Sequence, residues 1–327
     1  MMKPITTALA CLALLAFVSS AEAASGKLTL YTSMLEADAN HTVQAFEKAN
    51  PGVTMSWTRG GSTEILNRLR AEYAAGGAQA DVVLLADALS LEALKADHRL
   101  MPDPDAPVGS LAKALYDPDL TYFGTKIITT GIAYNTGAPM KPASWKDLLK
   151  PEAKGRVTLP SPLYSGAASL FLATMKAQPG FGLDYFEKLK ANGAVATKAN
   201  GAVLTAVAGG EKLYGIIVDY MPLREALKGA PVAFAFPVEG VSTITEPVAI
   251  LSGTKNAEAA KAFVSFVLSR AGQELALEEG FYPADSSLGP PKGFPSLKGV
   301  KLLGFDGAKA LKDVQSNNMA FADLFGG

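Results

Sequence analysis

Ser161-Pro162-Leu163-Tyr164-Ser165-Gly166-Ala167-Ala168-Ser169-Leu170-Phe171-Leu172 reads as the end of a strand, a turn of small residues and the first turn of a buried helix. Pro162 and Gly166 punctuate it, and from Ala167 the apolar residues run almost unbroken to Met175. The first N–H groups of a helix lack internal partners and carry the positive end of its dipole. Hydroxyls at Ser161, Tyr164 and Ser165 add donors, and Gly166 lets a ligand approach the backbone, so Ser165, Gly166 and Ala167 form a candidate anion seat. An ordinary N-cap is the plainer alternative, since serine is favoured there in any protein.

The same chemistry recurs. Gly60-Gly61-Ser62-Thr63-Glu64 opens a helix whose Ile65, Leu66 and Leu69 fall at helical spacing, with Arg68 and Arg70 on the other side. Lys198-Ala199-Asn200-Gly201-Ala202-Val203-Leu204 opens another, with Asn200 expected as N-cap and Lys198 as a nearby cation. Small polar turns feeding helix N-termini along an α/β chain suggest a cleft lined by positive helix ends.

Around these turns the pattern alternates. Residues 27–33 form a strand, 38–50 an amphipathic helix with Val43 and Phe46 inward, and Asn50-Pro51-Gly52 stops it. Residues 53–58 are a second strand, 60–72 a helix, and Asp81-Val82-Val83-Leu84-Leu85 a third strand with the apolar run of one covered on both faces. This βαβαβ order predicts a mostly parallel sheet flanked by helices, with ligands beyond the strands' carboxyl ends, where Ser33, the 60–63 turn and Asp87 stand. Further strands are expected at 127–135, 157–159, 213–218, 231–237 and 243–251, and helices at 181–192 and 257–268. The chain of 327 residues is long for one core, so two lobes are the default.

Composition removes several function classes. A net charge of −1 provides no field for nucleic acid or an anionic membrane. Residues 1–23 read as a signal peptide: Lys3 supplies its positive end, Ala8 to Val18 its apolar core, and Ala21-Glu22-Ala23 a cleavage site before Ala24. The single cysteine, Cys11, falls in that segment, so the mature chain has no disulfide, thiol chemistry or cysteine-bound metal. The expected product is exported. His41 and His98 lie in no nucleophile or metal motif, and Gly60-Gly61-Ser62 lacks a following Walker lysine, so neither an enzyme nor a cofactor is expected.

In order, Leu28-Thr29-Leu30-Tyr31-Thr32-Ser33, Ala45 to Val53, Ala80-Asp81-Val82-Val83, Gly131-Ile132-Ala133-Tyr134-Asn135, Ser165-Gly166-Ala167, Asn200 to Leu204 and Lys255 to Phe263 resemble a periplasmic solute-binding protein of an ABC transporter, of the ferric-ion, thiamine and phosphonate-binding group. The resemblance spans nearly the whole mature chain. It implies a type II fold of two α/β lobes joined by strand crossovers, here near Thr129 and Thr245, with lobe 1 at 24–128 plus 246–300, lobe 2 at 129–245, and the tail 301–327 unassigned between them. It also implies ligand capture between the lobes by a monomer, and delivery to a membrane permease.

Iron-binding members carry a His after the first strand, an acid after the third and two adjacent Tyr. Those positions fall here on Leu35, Asp87 and Tyr220-Met221, so two of four ligands are missing, and leucine and methionine cannot hold ferric iron. The retained anion half favours an organic phosphate or phosphonate. The ligand-binding residues expected are Ser33, Gly61, Ser62, Thr63, Asp87, Ser161, Tyr164, Ser165, Gly166, Ala167, Asp219 and Tyr220, with no metal. Asp219 and Asp87, with Glu36 and Glu246 behind them, would meet a cationic group that Tyr220 faces through its ring. An anion at one end and an amine at the other describes 2-aminoethylphosphonate. A sugar phosphate, with Asp219 accepting hydroxyls, or a metal with a synergistic anion are the alternatives, and a secreted hydrolase is a more distant one.

Overall fold

The computed structural model describes residues 24–326; the signal peptide expected over residues 1–23 lies outside the described residues. In chain order, β1 (Gly26–Thr32), α1 (Glu36–Ala49), β2 (Val53–Arg59), α2 (Ser62–Ala74), β3 (Val82–Leu84), α3 (Ala88–Ala96), β4 (Leu100–Met101) and β5 (Phe123–Gly124) build most of a first sheet. The chain then makes β6 (Lys126–Asn135), β7 (Val157–Pro160), α4 (Gly166–Lys176), α5 (Gly182–Ala191), β8 (Val195–Thr197), α6 (Asn200–Ala208), β9 (Tyr214–Val218), α7 (Tyr220–Leu227), β10 (Val232–Ala235) and β11 (Ser242–Ile244) around a second sheet. It returns through β12 (Pro247–Leu251), α8 (Ala257–Leu268), α9 (Arg270–Glu278), β13 (Tyr282–Pro283) and α10 (Gly307–Phe325).

The first sheet has the order β2-β1-β3-β12-β4, with β5 also on β12; the second has β10-β6-β9-β7-β8, with β11 and β13 on β6. In the first, β1 pairs parallel with β2 and β3, and β12 runs antiparallel to β3. Side-chain alternation splits its core in two. Leu28, Leu30, Val82, Leu84, Val248 and Ile250 pack with Phe46 of α1 and Phe263 of α8 on one face. Tyr31, Val83, Leu85, Ala249 and Leu251 pack with Ile65 and Leu69 of α2 and Leu91 of α3 on the other. Both faces are covered, which is why β3 is apolar throughout. The second sheet is sandwiched likewise, with Trp145, Phe171 and Phe186 over one face and Val203 and Met221 packed against Ile217 on the other.

Residues 243–251, expected as one strand, divide at Thr245–Glu246 into β11 of the second sheet and β12 of the first. The outward passage, expected near Thr129, lies at Thr125, and Thr129 stands inside β6. The two crossings are stitched together. The N–H groups of Thr125 and Lys126 both donate to Thr245 O (3.0 and 3.2 Å), and Thr125 Oγ1 donates to Glu246 O at 2.7 Å. Glu246 turns with φ +40°, rare for a residue with a side chain, and its carboxylate meets Lys126 Nζ at 2.6 Å. The C-terminal tail packs chiefly on helices of the second sheet: α10 lies on α4 and α5, Phe321 joins Phe186 in that core, and Lys176 donates to Asn317. Its other flank touches α3 of the first sheet.

Candidate functional site

Between the two sheets lies a cavity of about 330 Å³, within the ~300–1,000 Å³ usual for small-molecule sites. Helix starts from both halves converge on it: Gly61 and Ser62 of α2, Ser165 to Ala167 of α4, Asn200 to Ala202 of α6, and Tyr220 and Met221 of α7. The N–H groups of Gly166, Ala167, Asn200 and Gly201 have no acceptor among the described residues, as the first turn of a helix dictates. These unpartnered amides give the wall a positive potential.

Ser165 caps α4 and is buried. Its Oγ accepts from Ala168 N and from Asn200 Nδ2, both at 3.3 Å, and Val218 N donates to Asn200 Oδ1 at 3.2 Å, which fixes that amide's orientation. Both lone-pair directions of the hydroxyl are taken, so Ser165 has only its proton left to offer. Asn200, expected to cap α6, is instead its first residue, and Ala199 stands at the cap. The side chain is spent on Ser165 and Val218. Across the cavity Ser33 Oγ is buried without a hydrogen-bond partner and faces the same space.

The charges follow a simple plan. Arg59, at the carboxyl end of β2, lines the cavity with its Nε donating to Met34 O at 3.0 Å. Lys198 reaches from the second half to Glu64 of the first at 2.9 Å. The Gly61 N–H and Lys198 hold the Glu64 carboxyl below the usual carboxylate range. Glu246 is the other acid on the wall, balanced by Lys126.

The expected site residues fall into two groups. Ser33, Gly61, Ser62, Tyr164, Ser165, Gly166, Ala167 and Tyr220 line this one cavity. Ser62 is turned away in part, since its Oγ accepts from Ala86 N at 3.1 Å. The other four do not line it. Thr63 donates across the gap to Pro162 O at 3.3 Å and faces a neighbouring cavity of about 600 Å³ between α2, α3, α4 and α10. Ser161 supports its own turn by accepting from Leu163 N. Asp87 caps α3: it accepts from Ser90 N (2.8 Å) and Ser90 Oγ (3.0 Å), and burial raises its carboxyl above the ordinary range. Asp219 is fully buried and bonded to Thr129 and Tyr220 N, so neither acid is open to a ligand's cationic group. Glu36 is exposed outside the lining. Leu35 and Met221, where the iron-binding resemblance places a His and a Tyr, are apolar wall, and no group of three or more His, Cys, Asp or Glu among the described residues is arranged to hold a metal. Arg59 is a further cavity residue, and its signal in the sequence is a cation at a strand's end, one residue before the Gly60-Gly61 turn.

A profile described as bacterial extracellular solute-binding protein matches residues 28–282, and the chain belongs to that family. It has the type II periplasmic binding protein fold and is a solute-binding protein of the ABC-importer type. It is 30% identical over 280 residues to an uncharacterised protein of Haemophilus influenzae, covering 80% of this chain and 79% of that one. It is 26% identical over 274 residues to the Fe(3+)-binding periplasmic protein of Serratia marcescens, covering 80% and 79%. Among solved structures, the periplasmic binding protein AfuA of Actinobacillus pleuropneumoniae with fructose-6-phosphate bound superposes with a TM-score of 0.84 at 25% identity, covering 91% of this chain and 98% of that one. No helix among the described residues is long and apolar enough to cross a membrane.

Proposed function

We propose that this protein captures a small organic phosphate or phosphonate in the periplasm, closes its two halves on it and delivers it to an ABC permease, with no chemistry of its own. The observation that carries this reading is the donor-only wall at the start of α4: Gly166 N–H and Ala167 N–H without acceptors, beside a Ser165 hydroxyl whose lone pairs are already used. Such a wall favours an acceptor-rich anion, and each charge-assisted bond contributes about 1.5–3 kcal/mol. Arg59 adds cationic charge at the same cavity, where Lys198 balances Glu64. The apolar Leu35 and Met221 argue against ferric iron as cargo.

A hydroxyl-bearing phosphoester of sugar-phosphate type fits best. The acids that an aminophosphonate would need, Asp87 and Asp219, are engaged elsewhere, whereas Ser33 Oγ stands unpartnered towards the cavity. The fructose-6-phosphate bound in AfuA belongs to this ligand class. 2-Aminoethylphosphonate is the second reading: Glu246 lines the cavity, and its carboxylate, already paired with Lys126, would have to be shared with an ammonium.

A thermal-shift screen with hexose phosphates, 2-aminoethylphosphonate, inorganic phosphate, thiamine and ferric salts tests both. A ligand at a hundredfold excess over its Kd stabilises by about 2.7 kcal/mol. Ser165→Ala is expected to weaken the responding phosphate or phosphonate about tenfold or more, from one lost charge-assisted bond. It also costs about 1 kcal/mol of cap stability in the ligand-free protein. A response to ferric salts alone, or unchanged affinity in Ser165→Ala, removes the proposal.

A further inference from the structure

The helices that begin around the closure seam differ in how their positive ends are treated. At α2, Glu64 accepts from Gly61 N at 3.0 Å; at α3, Asp87 accepts from Ser90 N at 2.8 Å; at α7, Asp219 accepts from Tyr220 N at 2.7 Å. Each of these ends has its own acid, which offsets the dipole. Helices α4 and α6 have no acid in their first turns, and theirs are the unbonded amides that line the cavity. Asp87 abuts Gly166 across the seam, but Ser90 holds it and it belongs to the wall of the neighbouring cavity. Beside the amides, Ser165 is buried with only its proton to offer.

The side-chain charges on the wall leave a matching excess. Glu64 is paired with Lys198 at 2.9 Å, and Glu246 with Lys126 at 2.6 Å. Tyr164 and Tyr220 are the other titratable groups that line the space. Arg59 remains. Its Nε donates to Met34 O, it acts on Glu64 through the field alone, and no carboxylate among the described residues is paired with it. One full charge and two helix ends of about half a charge each therefore converge, roughly two positive charges without a partner on the wall.

We propose that this cavity selects a dianionic phosphoryl group, a terminal monoester or phosphonate that has lost both protons, over monoanions of the same shape, and that Arg59 reads the second charge. The inference rests on the phosphate reading above and adds the ionisation state to it. Coulomb attraction is linear in each charge, so a dianion gains twice what a monoanion gains from the same field. Stripping water from the second charge is costly, and a wall with donors and positive charge in excess offsets that cost. Arg59 belongs to the first half, on β2, whereas α4 and α6 pack on the second sheet. The same two charges therefore draw the halves together, which makes the ionisation state of the ligand a condition for closure.

Glucose-6-phosphate and glucose-6-sulfate separate charge from shape: both present three terminal oxygens, but the sulfate has a single charge throughout the range used. 2-Aminoethylphosphonate and 2-aminoethanesulfonate form a second such pair. In titration calorimetry at pH 8 the phosphoryl member of a pair binds about tenfold or more tightly than its sulfur analogue. Its affinity falls about tenfold between pH 8 and pH 5, because the second ionisation of a phosphoryl group lies near 6. The sulfur analogue changes far less over that range, which removes the protein's own titrations from the comparison. Arg59→Gln narrows the ratio within a pair about threefold or more at pH 8, whereas Arg59→Lys, which keeps the charge, preserves it. Equal affinity within a pair, phosphoryl binding that is flat from pH 5 to 8, or a ratio unmoved by Arg59→Gln overturns the charge selection and leaves phosphate capture standing. Binding of neither phosphoryl compound, nor of fructose-6-phosphate, overturns both.

Discussion

Gly166→Ala is expected to raise the ligand Kd by a hundredfold or more, about 2.7 kcal/mol, while the ligand-free protein melts no lower than wild type. A methyl group at Gly166 would lie 1.8 Å from Asp87 Oδ2 and 2.7 Å from Asp87 Cγ and Ser62 Cβ, all on the opposite half of the molecule. Asp87 cannot yield, because it is buried and both its oxygens are held by Ser90. Within its own half Gly166 is only the first residue of α4, where alanine is the better helix former. The substitution therefore leaves each half intact and obstructs their closure. Gly61→Ala should repeat the result from the other side, since its methyl would lie 1.9 Å from Tyr164 O. Titration calorimetry with the ligand found by thermal screening measures the affinity, and small-angle scattering of the ligand-free variants should report a larger radius. Wild-type affinity in both would mean that the ligand is not held by closure along this seam.

The parts of this site that local chemistry specifies were legible in the sequence. Ser165-Gly166-Ala167 and Gly61-Ser62 announce helix starts by residue type alone, and β1 to β3 with their intervening helices follow from apolar periodicity. What depends on pairing across long sequence separations was not. Residues 243–251 have one strand-like pattern, yet Glu246 at φ +40° sends the two ends into different sheets, and periodicity carries no sheet label. Helix α7 was hidden behind Pro222, which its first turn tolerates. Asp87 and Asp219 both stand at strand ends, where ligand acids are expected, but strand-end position gives the neighbourhood and not the direction of the side chain. The capping role of Asp87 had a local signal in Ser90, three residues on. Asp219 had none, because its partner Thr129 is ninety residues away.

That partner makes Asp219 the site of the largest expected loss of stability. Its Oδ2 accepts from Thr129 N at 3.0 Å and Thr129 Oγ1 at 2.7 Å, and its Oδ1 from Tyr220 N at 2.7 Å, with the side chain fully buried. Asp219→Ala strands two backbone donors between β6 and α7 and should cost about 3–5 kcal/mol. In a chain of this size that lowers Tm by on the order of 10 °C. Affinity in the folded fraction should change far less than in Gly166→Ala, because Asp219 does not line the cavity. A variant with unmoved Tm but abolished binding would make Asp219 a ligand acid after all. The acid also sets a pH dependence. Burial, opposed by the three donors, pushes its carboxyl up to about 7, against about 3.9 in an unfolded chain. A raised folded-state value means that the native protein holds the proton more tightly, so stability is greatest below about pH 4 as far as this group is concerned. It declines as pH rises through 7, where the ion must be carried in the interior. Glu279, also raised to about 7 by burial, acts in the same direction. Chemical denaturation between pH 5 and 8 should accordingly show a downward slope for wild type that is reduced in Asp219→Asn and further reduced when Glu279→Gln is added; a slope unchanged by both would mean that these two carboxyls are already ionised at pH 5 in the folded protein.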